Sequence, residues 1–188
     1  MEQKIILWLQ SLSNEFLDVF FQGVSYIASW IGAICVFLVI LIFVNKKYGV
    51  IFGSGFLATI GINFLLKVII KRPRPYIANP QIINKLTTIG HSFPSGHSVS
   101  AIFIVLAVLY LLHILNKHGK FNLFNKKWFK ILTYLIAILF ILLTAISRMY
   151  LGQHYISDII GGLIVGTFGF MVSAFVYKKF FNGKKNNN

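Results

Sequence analysis

Residues 131–146, ILTYLIAILFILLTAI, form a long apolar run in which no side chain carries a charge. A helix that crosses a bilayer needs roughly 20 mainly apolar residues, and a charge near its centre is costly. Similar apolar runs occupy residues 24–44, 50–70, 99–115 and 156–177. The sequence therefore predicts an all-α, polytopic transmembrane helix bundle with about five spans.

The overall composition supports a membrane protein. Of the 188 residues, 57% are hydrophobic and 12% are charged, whereas soluble domains average about half and a quarter. The net charge of +14 does not indicate nucleic-acid binding, because no basic stripe with interleaved aromatic residues lies outside the apolar runs. No basic segment with a small-residue cleavage site opens the chain, so we expect no cleavable signal peptide. Cys35 is expected to be a small, buried core residue.

The N-terminal segment has a different pattern from the spans. In residues 1–22, apolar side chains recur at helical spacing and polar ones occupy the other faces. This pattern predicts an amphipathic helix that lies in the membrane interface; a surface helix packed on the bundle is the alternative. Residues 23–181 are predicted to form the transmembrane domain and residues 182–188 a polar tail.

The positive charges predict the orientation in the cell membrane. If five spans alternate, eleven of the eighteen Lys and Arg residues fall on one side, which the positive-inside rule makes cytoplasmic. The C-terminus lies on that side, and its lysines are expected to contact anionic phospholipid headgroups. Six cations fall on the extracytoplasmic side, where charges at span ends usually serve chemistry: Lys67, Lys71, Arg72, Arg74, Lys85 and Arg148.

Three clusters at span ends on that side carry the candidate chemistry. They are residues 67–75 (KVIIKRPRP), 93–97 (FPSGH) and 147–158 (SRMYLGQHYISD). Lys67, Arg74 and Arg148 are suited to a multiply charged anion, because guanidinium forks match phosphate oxygens and lysine adds a mobile charge. The sequence Pro94-Ser95-Gly96 opens a helix, whose free N–H groups and positive dipole end favour an anion. Lys71 and Arg72 are assigned to lipid headgroups or solvent.

Two histidines and one carboxylate complete the set. His154 and Asp158 are four residues apart at a helix start and share a face. A carboxylate on one imidazole nitrogen leaves the other as a nucleophile or base, and His97 beside the anion is suited to deliver a proton. Metal binding by His154 and Asp158 is the competing interpretation, but the neighbouring Arg148 and the lack of further carboxylates argue against a divalent cation.

The spacing of these clusters resembles a known family. Lys67-x6-Arg74-Pro75, then Pro94-Ser95-Gly96-His97, then Ser147-Arg148-x5-His154-x3-Asp158 is similar to the three-part signature of the type-2 phosphatidic acid phosphatase superfamily, which also includes vanadium haloperoxidases and glucose-6-phosphatase. The resemblance covers about residues 50–177. Relatives often have six spans, whereas here an amphipathic segment stands where the first would be.

The resemblance implies roles for these residues and no cofactor or metal. His154 would take the phosphoryl group as a phosphohistidine while Asp158 holds its ring, and His97 would protonate the leaving group and then activate water. The remaining matched residues would bind the phosphate or support those that do. Phosphate binding falls to Lys67, Arg74, Ser95, Gly96 and Arg148, and support to Pro94 and Ser147.

The resemblance also implies an enzyme that acts on a membrane lipid. The expected activity is hydrolysis of a lipid phosphate monoester or diphosphate, with undecaprenyl diphosphate and phosphatidylglycerophosphate as the two leading substrates. Two alternatives remain open from the sequence. One is haloperoxidase chemistry with vanadate in the phosphate site, and the other is a non-catalytic lipid-binding or transport protein on the same fold.

Overall fold

The computed structural model describes residues 1–86 and 88–182, which contain eight α-helices and no strand. A π-helical turn, Ile40–Val44, follows the third helix, a 3-10 turn, Asn122–Asn125, precedes the seventh, and a π-helical turn, Lys178–Asn182, follows the last. Beyond Asn182, the predicted polar tail lies outside the described residues. The helices are α1 (Glu2–Ser11), α2 (Glu15–Ile27), α3 (Trp30–Val39), α4 (Lys46–Ile70), α5 (Pro75–Ala78), α6 (Gly96–Lys117), α7 (Lys127–Tyr150) and α8 (Ile156–Tyr177).

Four segments of the described chain are long and apolar enough to cross a membrane, and a bent pair of helices makes a fifth if the pair counts as one span. The prediction of an all-α bundle with about five spans is therefore confirmed. The four segments are Lys46–Ala78, Gly96–Lys117, Lys127–Tyr150 and Ile156–Phe180, and the bent pair is Glu15–Ile27 with Trp30–Val44.

The first predicted span, residues 24–44, is not one straight helix. The axis bends by 52° between α2 and α3. Ser29 caps the new helix, with its Oγ accepting a hydrogen bond from the Gly32 N–H at 3.2 Å, as serine does at helix starts. A Cβ on Gly32 would lie 2.2 Å from the Ile27 carbonyl oxygen. The bend therefore depends on glycine at this position.

The N-terminal segment forms two helices, and the first of them packs on the bundle. It breaks before Asn14, whose side chain accepts a hydrogen bond from the Leu17 N–H and starts α2. In α1, the Gln10 Nε2 donates to the carbonyl oxygens of Ile83 at 2.7 Å and Tyr150 at 3.0 Å. The Gln10 Oε1 accepts from the Ile83 N–H at 2.9 Å. These bonds attach α1 to the loop after α5 and to the end of α7.

The centre of the bundle is formed by α4, α6 and α8. Aromatic rings fill it; Phe56 lies 5.4 Å from Phe103 and 5.5 Å from Phe37, centroid to centroid. By contrast, the buried residues of α7 lie only near its C-terminal end, and they are Thr144, Ser147, Arg148 and Tyr150. Cys35 is also exposed, so the expectation of a core position is wrong; it shares its helix face with the exposed Ile31 and Leu38.

Glycines let α8 approach α6 closely. A Cβ on Gly162 would lie 2.5 Å from the Ser95 carbonyl oxygen, and a Cβ on Gly166 would lie 2.6 Å from that of Val99. Both neighbours are backbone atoms at the start of α6 and have little room to move. Small residues at such positions allow helices to pack tightly in membranes, and here they bring the second and third sequence clusters together.

We predict that Gly162→Ala destabilises the protein, because the new methyl group would overlap the backbone at Ser95. Overpacking of this kind costs about 1–3 kcal/mol, or roughly 3–10 °C in the unfolding temperature for a chain of this size. Thermal unfolding in detergent measures the effect. Gly61→Ala is the matched control, because a Cβ there meets no atom within 4 Å. Equal unfolding temperatures for the two variants would contradict the close approach of the helices.

Candidate active site

The first cluster lies at the end of α4. Lys67 is in the last turn, and Lys71, with φ of 51°, ends the helix in the left-handed conformation. The Lys67 Nζ donates to the carbonyl oxygens of His91 at 2.8 Å and Ser92 at 3.3 Å. Because an ammonium group has three N–H donors, one remains for another ligand.

Arg74 joins the first cluster to the third. Its guanidinium is buried, with 6% of the residue exposed. The Nε donates to the Gly90 carbonyl at 2.9 Å, and one terminal nitrogen donates to the Gln153 Oε1 at 3.0 Å. Gln153 immediately precedes His154, so the position of Arg74 is fixed relative to the candidate nucleophile.

The second cluster begins α6 as the sequence predicts. Ser95 is the N-cap, and its Oγ accepts hydrogen bonds from the Ser98 N–H at 3.4 Å and the Ser98 hydroxyl at 3.0 Å. The Ser95 hydroxyl therefore keeps its own proton to donate. The first intrahelical bond runs from the Val99 N–H to the Ser95 carbonyl, and no described residue accepts from the N–H of Gly96 or His97. These donors form the type of helix start that binds anions.

The third cluster folds back over the end of α7. A turn at Gly152, with φ of +74°, allows the N–H groups of Gln153 and His154 to donate to the Arg148 carbonyl at 3.0 and 3.2 Å. Ser147 is fully buried, and its Oγ donates to the Thr144 carbonyl at 2.9 Å. Ser147 thus supports the helix end without facing the site through its hydroxyl.

Arg148 is the most deeply buried cation of the set, with 1% of the residue exposed. One of its terminal nitrogens donates to the Ser25 Oγ of α2, while its Nε is buried without a partner. Buried polar atoms are nearly always hydrogen-bonded in folded proteins. The unpaired guanidinium N–H is therefore a marker of a ligand position.

His154 and Asp158 lie side by side, as their spacing predicts. The His154 Nδ1 is 3.6 Å from the Asp158 Oδ2, slightly beyond hydrogen-bond distance, and has no other partner. The Asp158 Oδ2 also accepts from the Tyr155 N–H at 2.9 Å, which holds the carboxylate at the start of α8. Because Nδ1 faces Asp158, the Nε2 of His154 is the nitrogen directed elsewhere.

The environment of His154 favours its neutral form. Burial is the main cause, and the positive charges of Arg148, Arg74 and Lys67 add to it; together they hold the pKa of His154 well below its ordinary value of 6.5. A neutral imidazole keeps a lone pair on one nitrogen at pH 7. The ring is therefore in the state that a nucleophile requires.

Backbone contacts bring the clusters into one place. The Ser95 N–H donates to the Asp158 carbonyl at 2.9 Å, which joins the start of α6 to the start of α8. The Lys67 and Arg74 bonds to the loop before α6 attach the end of α4 and the start of α5 to the same loop. The structure thus gathers the residues that the sequence assigned to one site.

A cavity of about 260 Å³ reaches this site from the side of the bundle. Its lining includes His97 and Arg148 together with Tyr26, Trp30 and Leu86. Tyr26 and Trp30 are exposed on the outer surface around the bend between α2 and α3. The cavity therefore connects charged and titratable groups with an apolar, aromatic wall at the surface of the helices.

Sequence reasoning missed several residues of the site. Arg72, assigned to headgroups or solvent, instead donates to the Asp158 Oδ1 at 2.6 Å and to the Glu2 Oε2 at 3.1 Å. Ser25 and Gln153 contact the cations Arg148 and Arg74. Only Arg72 carried a usable signal, because it belongs to the Arg-Pro-Arg-Pro run. The partners of the others depend on contacts between distant segments.

The site has the donor set of an anion-binding site. Within residues 1–86 and 88–182, no three His, Cys, Asp or Glu side chains gather closely enough to hold a metal ion. The groups that do gather are His97, His154 and Asp158 among the cations Lys67, Arg74 and Arg148. Such a set matches the charge of a phosphate group.

Two curated proteins of Bacillus subtilis are similar to this chain. One, named phosphatidylglycerophosphatase B, is 36% identical over 105 residues, covering 56% of this chain and 46% of the relative. The other, named undecaprenyl-diphosphatase BcrC, is 30% identical over 127 residues, covering 64% of this chain and 53% of the relative. The chain thus spans about half the length of these relatives.

A solved structure shares the fold. The crystal structure of a transmembrane PAP2-type phosphatidylglycerolphosphate phosphatase from Bacillus subtilis aligns with a TM-score of 0.73 at 23% identity, covering 95% of this chain and 85% of that one. This likeness concerns the fold, and it supports a multi-pass membrane protein. The sequence profile of the PAP2 superfamily matches residues 48–182, which include all three clusters of the site. This chain belongs to the PAP2 superfamily.

Proposed function

We propose that this protein is an integral membrane lipid phosphatase, with residues 23–181 as its catalytic domain and no metal ion in its reaction. The observation that carries the proposal is the cavity in which His97 and Arg148 share a lining with Tyr26 and Trp30. A polar reacting group beside an apolar wall suits a substrate with a phosphate at one end and a hydrocarbon chain at the other.

The phosphate is held by charges and by the start of a helix. Lys67, Arg74 and Arg148 neutralise its oxygens. The Ser95 hydroxyl and the Gly96 N–H donate to them at the N-terminus of α6. Arg74, Arg148 and Ser95 are buried, and donors held in fixed positions in such surroundings stabilise charge that builds in the transition state. Pro94 and Ser147 support the two helix ends from which the donors come.

His154 attacks the phosphorus atom in the first step. Its Nε2 lone pair forms an N–P bond while the P–O bond to the leaving group breaks, and the leaving oxygen departs with that electron pair. His97 transfers a proton to this oxygen, so a neutral alcohol or a protonated phosphate leaves. Asp158, next to Nδ1, stabilises the positive charge that develops on the imidazole ring.

Water completes the cycle in the second step. His97, now neutral, takes a proton from a water molecule as its oxygen attacks phosphorus. The N–P bond breaks and its electron pair returns to the His154 Nε2. Phosphate is released, and both histidines return to their starting states. The net reaction is hydrolysis of a phosphate ester or anhydride, and every proton transfer uses a side chain of this site.

Two lipids are the best candidate substrates, undecaprenyl diphosphate and phosphatidylglycerophosphate. The names of the two Bacillus subtilis relatives support both choices, and both molecules carry a phosphate on a hydrophobic body. The excess of lysine at the ends of the helices opposite the site supports an extracytoplasmic active site under the positive-inside rule. On this arrangement the C-terminus is cytoplasmic, and its lysines contact anionic headgroups.

Phosphate release by detergent-purified protein in EDTA tests the proposal. Undecaprenyl diphosphate, phosphatidylglycerophosphate and phosphatidic acid are offered side by side, with His154→Ala protein as the blank. We expect release from at least one lipid, unaffected by EDTA, and the ranking of rates identifies the preferred substrate. Activity lost in EDTA and restored by a divalent cation would overturn the metal-free mechanism. A folded protein that releases phosphate from none of them would favour the lipid-binding alternative.

A further inference from the structure

We propose that Arg72 is a positioning residue for Asp158, and that Glu2 of α1 holds Arg72 in place. The proposal rests on the function proposed above, because Asp158 acts there on the nucleophile His154. The proposal gives a role in the reaction to Arg72, which lies between the signature residues Lys67 and Arg74, and to the N-terminal helix. The contacts that Asp158, Arg72 and Glu2 make support this role.

Asp158 needs a charged partner because of its burial. Its side chain is 0% exposed, and an isolated carboxylate in such surroundings is strongly disfavoured. The two oxygens have different partners: Oδ1 accepts from Arg72 at 2.6 Å, while Oδ2 accepts from the Tyr155 N–H and faces the Nδ1 of His154. With Oδ1 fixed by Arg72, the carboxylate cannot rotate, and Oδ2 stays directed at His154.

Arg72 is itself held on several sides. Its Nη1 also donates to the Ser157 Oγ at 2.6 Å, its Nη2 donates to the Glu2 Oε2 at 3.1 Å, and its guanidinium lies 4.1 Å from the centre of the Tyr155 ring. A planar guanidinium suits such divergent contacts, whereas an ammonium group lacks the fork. Arg72 therefore has one well-defined position beside Asp158.

Glu2 connects this arrangement to the N-terminal helix. Its second oxygen, Oε1, accepts from the Ser157 N–H at 2.7 Å, so Glu2 contacts both Arg72 and the first turn of α8. Burial by itself raises the pKa of Glu2, but the hydrogen bonds from Ser157 and Arg72 outweigh it and leave the pKa below its ordinary value. Glu2 is thus ionised at neutral pH and can pair with Arg72.

Arg72 differs from the proposed phosphate-binding cations because its charge is paired with carboxylates. The chain has four Asp and Glu residues in total, and two of them, Glu2 and Asp158, pair with Arg72. In the described part of the chain, Lys67, Arg74 and Arg148 form no salt bridge. Their charges remain for substrate, whereas the charge of Arg72 is committed to carboxylates.

The test compares Arg72→Gln with Lys71→Gln, which removes the same charge from the neighbouring exposed residue. For Arg72→Gln we expect kcat to fall about 10- to 100-fold, because misplacing a reacting group by about 1 Å can cost about 100-fold in rate. We expect KM to change by less than about 3-fold because the phosphate contacts remain. Arg72→Lys should recover part of kcat through one bond to Asp158. Lys71→Gln should match the wild type within about 2-fold. Equal kinetics for Arg72→Gln and Lys71→Gln would overturn the proposal.

A double-mutant cycle distinguishes positioning from a general structural role. If Arg72 acts through Asp158, adding Arg72→Gln to Asp158→Asn should lower kcat no further, because coupled residues are not additive. A further loss equal to that of the single variant would show that Arg72 acts independently. Glu2→Gln should lower kcat about 3- to 10-fold in the wild type and have no effect in Arg72→Gln. Thermal unfolding of each variant identifies any loss of kcat that comes from unfolded protein. If Arg72→Gln does not fold, Arg72→Lys and Glu2→Gln provide the test.

Orthovanadate binding separates this proposal from the proposed lipid substrates. Vanadate resembles phosphate and requires no lipid. It should therefore occupy the phosphate position next to the Nε2 of His154, and its affinity reports on the orientation of that ring. We expect Arg72→Gln to weaken vanadate binding about 10-fold and Lys71→Gln to leave it unchanged. Vanadate binding with no lipid hydrolysis would contradict the substrate class alone. Normal hydrolysis with Arg72→Gln indistinguishable from wild type in both assays would contradict the role of Arg72 alone.

Discussion

His154→Ala protein is expected to release no phosphate above background from any lipid that the wild-type protein hydrolyses, a loss of about 10⁴-fold or more. Without the imidazole, no N–P bond can form. Lys67, Arg74 and Arg148 would still bind the phosphate group, so substrate affinity should persist while turnover disappears. Phosphate release at saturating lipid measures turnover, and competition with a labelled lipid measures binding.

His118→Ala is the matched control for this variant. His118 is exposed and ends α6 far along the helix from Ser95 and the site. We expect it to hydrolyse lipids at the wild-type rate, and both variants should unfold at temperatures close to that of the wild type. Turnover by His154→Ala protein at more than about one per cent of the wild-type rate would rule out His154 as the nucleophile.

His97→Gln is expected to accumulate a phosphoenzyme when the substrate is a diphosphate. The leaving group is then a phosphate with a pKa near 6, which departs without a proton donor, whereas an alkoxide does not. The first step should stay fast, and the second should slow by about 10²- to 10⁴-fold because no base activates water. A monoester should instead lose both steps.

Rapid-quench labelling with a ³²P-diphosphate lipid measures this effect. We expect a burst approaching one label per protein, stable in alkali and labile in acid, as a phosphoramidate bond to histidine requires. The double variant His97→Gln/His154→Ala should carry no label. A label that persists in the double variant, or a His97→Gln protein with no burst and an unaltered steady-state rate, would contradict the two histidine roles.

The sequence predicts the composition of the site better than its interior contacts. Lys67, Ser95 and His154 could be found because each sits in a short run whose spacing has a chemical reason. The bond between Arg72 and Glu2 could not be predicted, since 70 residues separate the two and no periodicity links them. Gln153 likewise meets Arg74 only through the turn at Gly152.

The positions of the helices were predictable, but their surroundings were not. Residues 131–146 were expected to be helical and are, yet very little of that stretch is buried in the bundle, whereas half of the equally apolar stretch of α6 is. Lipid is as apolar as a protein core, so hydropathy does not distinguish the two. The same reason explains the wrong prediction for Cys35. The bend at Ser29 was missed because its signal is one capping residue and one glycine.

The loop between α5 and α6 is attached along its described length: Gln10 pairs with both backbone groups of Ile83, Arg74 holds Gly90, and Lys67 holds His91. Ordering a free loop costs about 1–2 kcal/mol per residue in entropy. Here the bonds from Gln10, Arg74 and Lys67 already order the loop, so under the proposed function phosphate binding would not have to meet that cost. The affinity for phosphate would then reflect charge and contact distance, with little lost to the ordering of this loop.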